Sequence, residues 1–168
     1  MEGAATAAKV SRTTAYRYFP SVHALLVATY PQAEEESLLG SDPPRDPASR
    51  LRMVAENHTR RILRNEPEMR AVLRLSLDGD PSRDLGLPMH RGLRIGWIED
   101  ALAPLRNQLD EDQLRQLVYG IGATLGIEAF VWLTDVAGLS REDAAATIRS
   151  NALGLLRAAT AARGPSEG

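Results

Sequence analysis

Apolar residues recur at spacings of three and four along nearly the whole chain, and clusters of Pro and Gly cut that pattern into segments of helical length. Strand-like alternation of β-branched residues is absent, so the pattern predicts an all-α fold and argues against a sheet. The cuts fall over 39–47, 78–88 and 164–168. Pro43 and Pro44 cannot continue a helix and they stiffen the chain. A domain boundary is therefore expected there, between an N-terminal segment over 1–40 and a helical domain over 44–164.

Start and stop signals accompany each helix beyond that boundary. Asp46 before Pro47 caps a helix running to Asn65. Glu66, Pro67 and Glu68 open a second, to Leu77. Pro88 opens a third, which Pro104 kinks or stops. Asp110 followed by Gln113 has the form of a capping box, and it heads the longest pattern, a helix expected over 111–136 with Gly138 as its stop. Ser140 and Asp143 open the last helix, to Ala162.

These last two helices are apolar around most of their circumference, and a helix of that kind must be buried nearly all round. Two arrangements satisfy this: internal core helices, or a two-fold interface that the pair makes with a second copy. The second predicts a homodimer closed by a four-helix contact, with Leu125, Val131, Ile148, Ala152, Leu155 and Leu156 in the interface. Gly122 and Gly126 would let a partner backbone come close.

Several function classes drop out. The chain has no cysteine, which excludes a disulfide framework, a thiol nucleophile and a thiolate metal site. No apolar run is long enough to span a bilayer, and residues 1–10 lack the pattern of a secretory signal, so no membrane association and a cytoplasmic location are expected. HExxH is absent, no Glu is followed three residues later by His, and Gly120, Gly122 and Gly126 follow no strand. The chain is therefore expected to be no enzyme, with no cofactor and no metal. A net charge of −2, from 20 basic residues that are all arginine except Lys9, leaves nucleic-acid binding to a local patch.

Such a patch lies near the start, over 4–30 (AATAAKVSRTTAYRYFPSVHALLVATY). Ser11 stands where a helix cap belongs, with Thr13 and Thr14 in the first turn and Tyr16, Arg17 and Tyr18 in the next. Pro20 and Ser21 end that helix and cap another. Two short helices joined by a tight turn, the second bearing Arg, Thr and Tyr, have the build of a helix-turn-helix reading head. Arg12 and Arg17 suit base edges or phosphates, and the Thr and Tyr hydroxyls suit phosphate oxygens.

Ala8, Val10-Ser11, Thr14, Tyr16, Tyr18-Phe19 and Leu25-Leu26 together resemble the DNA-binding head of the tetracycline-repressor (TetR-type) family of bacterial transcriptional regulators. The resemblance implies that Arg12, Thr13 and Thr14 face bases, that Tyr16 and Tyr18 touch the phosphate backbone, and that Phe19 and Leu25 form the small core behind. More weakly, the all-helical layout and the stretch over 128–141 resemble the family's ligand-binding and dimerisation domain. The implied protein is a ligand-responsive regulator, in the main a repressor, that binds a double-stranded DNA operator as a homodimer. A small-molecule effector would release it.

The sequence departs from the family in three places. Lys9 holds the turn position where the family has Gly, at a cost of about 1 kcal/mol if its φ is positive. Val22 stands where a phosphate-binding Lys is usual. A further helix that the family carries ahead of the motif does not appear, and its apolar side chains are worth about 5–10 kcal/mol. The head as written is accordingly expected to be poorly ordered and weak on DNA, with either the natural start upstream of Met1 or the chain a fragment or decayed copy of a repressor. The competing reading is a helical dimeric small-molecule-binding module, or a decayed regulator, that does not touch DNA.

Met53, Met89, Trp97, Tyr119, Glu128 and Trp132 are the side chains that would line an effector cavity, although at helical spacing the large ones also suit a plain core. For Glu128 the plainer role is an ion pair with an Arg of a neighbouring helix or of a partner. His58 and His90 are expected as half-exposed structural residues. Arg60, Arg61, Arg64, Arg70 and Arg74, interspersed with Glu56, Glu66 and Glu68, form a mixed-charge solvated surface rather than a second nucleic-acid face.

Overall fold

The computed structural model describes residues 2–21, 24–25, 37–77 and 93–161, and the described residues are all-α: eight α-helices and no strand. The chain divides into two compact units, 1–33 with 67–89, and 34–66 with 90–168. The units thus interleave in sequence, where a single boundary after residue 40 was expected.

In the first unit, α1 (Glu2–Ala7) and α2 (Arg12–Tyr18) are joined by a turn. The turn is a Schellman motif. The N–H of Val10 donates to the Ala5 carbonyl (3.0 Å), and that of Lys9 to the Thr6 carbonyl (3.1 Å). Lys9 sits at its left-handed position with φ +54°, the conformation that a glycine adopts without steric cost. Ser11 caps α2 by accepting from the Thr14 N–H (3.0 Å). Ala5 and Ala15 are the buried residues of the two helices. From Pro67 onward, α4 (Glu66–Leu77) belongs to this unit as well.

The second unit is built on α3 (Pro47–Arg64). Asp46 accepts from the Ser49 N–H (2.8 Å) and Pro47 takes the first turn, as expected. Its buried residues Leu51, Val54, Ala55, His58, Thr59 and Ile62 form one stripe. That stripe packs against α5 (Leu93–Leu102) and α8 (Arg141–Ala161). A 3₁₀ turn, Ala103–Leu105, holds Pro104 and ends α5. α6 (Glu111–Thr124) begins with the reciprocal Asp110–Gln113 capping box.

The single helix expected over 111–136 is broken. Gly126 is extended (φ −104°, ψ 173°), and the chain bends by 43° between α6 and the following segment. That segment is α7 (Ile127–Val131), continuing as a π-turn over Trp132–Val136. Gly138, at φ +73°, stops it, and the Leu139 N–H closes on the Leu133 carbonyl. Ser140 then accepts from the Asp143 N–H (3.0 Å) and opens α8. No single described helix is long and apolar enough to cross a membrane.

The core of this unit lies where α3, α5, α6, α7 and α8 meet, around Leu51, Ile62, Ile98, Ile121, Leu125, Phe130 and Ile148. Residues 37–40, which run into the break expected over 39–47, are held against it. Leu38 and Leu39 are buried, Asn57 donates to the Leu38 carbonyl (2.8 Å), and Ser37 donates to Asp100 (2.7 Å). Arg50 clamps the Asp100 carbonyl (2.8 Å) and its carboxylate (3.1 Å). At the far end of α3, Glu66 is buried and accepts from Arg141 at 2.7 Å.

Candidate functional site

The α1–turn–α2 unit carries the residues singled out for DNA. Arg12, Thr13, Tyr16, Arg17 and Tyr18 are all exposed, while the small side chain of Ala15 points inward. An amphipathic seven-residue helix of this kind offers its polar face to a partner without unfolding anything behind it. The Arg12 guanidinium lies over the Tyr16 ring at 5.6 Å, and that of Arg17 over Tyr18 at 5.3 Å. Each cation is thus held near a phenolic hydroxyl, a pairing suited to phosphate oxygens. Ser11 and Thr14 differ from the rest of the set. Their hydroxyls bond to each other at 2.8 Å and Ser11 spends its oxygen on the cap, so they hold the start of the helix. Ser11 caps α2, as expected. Phe19 is half-buried, Leu25 follows a turn capped by Ser21, and Val22 and Leu26 lie outside the described residues.

The described members of the six residues proposed to line an effector cavity differ widely in burial. Trp97 is in the core at 3% exposure, whereas Tyr119 and Trp132 are more than half exposed. Met53 is half-buried, and Met89 and His90 lie outside the described residues. Glu128 makes the pairing expected of it: Arg94 on α5 donates to both carboxylate oxygens, at 2.9 and 3.2 Å. Burial opposes the charged carboxylate, but the hydrogen bond and charge of Arg94 outweigh it and hold its pKa below the ordinary value.

That ion pair explains Gly126. A Cβ at this position would collide with the Arg94 guanidinium and the Glu128 carboxylate, so the glycine makes room for a contact within the chain. This replaces the partner-backbone approach inferred for it from sequence. Gly126→Ala is expected to break the pair and cost about 1 kcal/mol in urea unfolding. In an Arg94→Ala background the same substitution should cost almost nothing, because the colliding group is gone.

Behind the pair lies a group that sequence reasoning undervalued. His58 is 6% exposed, not half-exposed, and its ring is tilted against Trp97 with centroids 5.7 Å apart. The Leu125 carbonyl, beside the helix break, accepts a hydrogen bond from the imidazole. Its Nδ1 is buried without a hydrogen-bond partner among the described residues. Burial, then the charges of Arg94 and Arg61, push its pKa down to about 4, against smaller opposing effects of Glu128 and the Leu125 carbonyl. The missed signal was positional: His58 falls on the Leu51, Val54, Ala55, Ile62 stripe.

Of the six proposed interface residues, Leu125, Ile148, Ala152 and Leu156 are buried in the subunit's own core. The correction is physical, because a side chain already enclosed by its own helices presents no surface to a second copy. Val131 is half-buried and Leu155 is 37% exposed. The large apolar side chains that these helices do expose are Tyr119, Trp132, Val136 and Leu155. Gly120 lies beside the last of them, its missing Cβ 3.9 Å from Leu155 Cδ1.

Comparison with family models, with curated proteins and with solved structures finds no match for this chain.

Proposed function

We propose that this chain is a TetR-type transcriptional regulator, in the main a ligand-responsive repressor. It would bind a double-stranded DNA operator through α2 as a homodimer, weakly in the chain as written, and release it on taking up a small-molecule effector. The observation that carries this reading is the head. A Schellman turn delivers the chain into a Ser-capped helix whose outer face holds Arg12, Thr13, Tyr16, Arg17 and Tyr18. In a homodimer the two α2 helices would enter major grooves about 34–36 Å apart, or a multiple of that. An effector acts on such a pair only by binding one head spacing better than the other.

Selection of duplex DNA from a random pool, at about 50 mM salt where phosphate contacts weigh most, tests the proposal. Enrichment of a two-fold symmetric sequence is the expected result. Arg12→Ala with Tyr16→Ala, both at exposed positions, should abolish the enrichment while leaving the far-UV spectrum unchanged. A pool that stays random with the unaltered chain, or enrichment indifferent to the double variant, would overturn the proposal.

A further inference from the structure

Within the second unit, α3 and α8 flank an open cleft of about 320 Å³. Glu56, Thr59, Arg60 and Leu63 line it from successive turns of α3, and Arg149 faces them from α8. The spacing puts the four α3 residues on one helix face. Thr59 forms the floor. It is 1% exposed, its hydroxyl donates to the Ala55 carbonyl (2.8 Å) and accepts from Arg149 Nη1 (3.3 Å).

Arg149 is the unusual member. The residue is half-buried, yet its hydrogen bond goes to a neutral hydroxyl. Arg60, the other cation of the cleft, bonds to the neutral Asn57 amide oxygen (2.7 Å) although Glu56 stands one turn away. Among the described residues no carboxylate lies within ion-pair distance of either arginine. A partly desolvated guanidinium with unspent donors is a planar fork shaped for a carboxylate. Two arginines against one glutamate give the cleft a single excess positive charge, which suits a monoanion better than a dianion. Leu63, 38% exposed at the rim, adds an apolar contact.

We propose that this cleft binds a small carboxylate bearing an apolar body, its carboxylate forked by Arg149 with Arg60 alongside and its body over Leu63. The assignment is independent of the DNA-binding reading of the head, because every residue it uses lies on α3 and α8.

Titration of the full chain with hexanoate, followed by amide and arginine side-chain NMR signals, is the test. Saturable shifts are expected at Thr59, Leu63 and Arg149, with a dissociation constant on the order of 1 mM. Arg149→Ala should weaken binding about tenfold. Arg149→Lys, which keeps the charge but loses the fork, should weaken it by about half as many decades. Arg60→Ala at an exposed position, where folding is not at stake, should weaken it about threefold. Shifts that never saturate, binding unchanged in Arg60→Ala and Arg149→Lys alike, or inorganic phosphate binding as tightly as hexanoate would each overturn the proposal.

Discussion

Unfolding free energy measured from pH 7.5 down to pH 4 is expected to fall by about 3 kcal/mol through His58 alone. The unfolded chain takes up a proton there near pH 6.5, whereas the folded chain takes it up only near 4. Between those values the unfolded state binds more protons, so stability falls as the solution is acidified. The cause is burial, reinforced by Arg94 and Arg61, with Glu128 and the Leu125 carbonyl pulling the other way. Glu128 itself, held below its ordinary pKa, adds an acid-dependent loss that starts lower, from about pH 4.5 downward. His58→Leu should flatten the profile between pH 6.5 and 5, since it removes both the proton and the unpartnered Nδ1 and fills a similar volume. Urea titrations read by the fluorescence of the neighbouring Trp97 follow both chains. An equally steep profile in the variant would assign the acid sensitivity to carboxylates instead.

His58 also shows where reading the residues in order stops. The helical class and the caps at Asp46, Asp110 and Ser140 were legible, because each cap rests on a side chain bonding to a backbone three residues away. So was the pairing of Glu128 with an arginine, since a carboxylate in an apolar run needs one. What stayed hidden depends on contacts distant in sequence. The break at Gly126 has no local cause visible in an otherwise helical pattern; it becomes intelligible once Arg94 reaches across from α5 to Glu128. Leu38 and Leu39 look like the start of a linker until Asn57 and Asp100 are seen to hold that segment. How deeply each residue of the proposed effector lining is buried was hidden for a similar reason. Trp97, Tyr119 and Trp132 share a chemistry but not a side of the bundle wall, and periodicity alone does not separate a core aromatic from a surface one.

The same ambiguity governs the proposed homodimer, and it supplies the second large effect. Helices apolar all round were offered two fates, and the buried set shows the first of them, an internal core, for part of each helix. Ile148, Ala152 and Leu156 complete the subunit's own core, while Tyr119, Trp132, Val136 and Leu155 remain exposed on the same stretch of chain. Four large apolar side chains turned to solvent are more than isolated surface residues require. If they close the dimer, Trp132→Glu combined with Leu155→Glu should weaken association about 100-fold, equivalent to about 3 kcal/mol, because aromatic anchors dominate interface energies. Trp132 is 58% and Leu155 37% exposed, so the unfolding free energy per protomer, extrapolated to high dilution, should change by no more than about 1 kcal/mol. Ile148→Ala should do the reverse, costing about 2–4 kcal/mol of folding stability through the cavity it leaves. Light scattering at micromolar concentration, beside urea unfolding, reads the two effects separately. A double variant that stays dimeric would move the interface to another face. An unaltered chain that scatters as a monomer would remove the two-fold arrangement altogether, and with it the paired heads on which the proposed operator recognition depends.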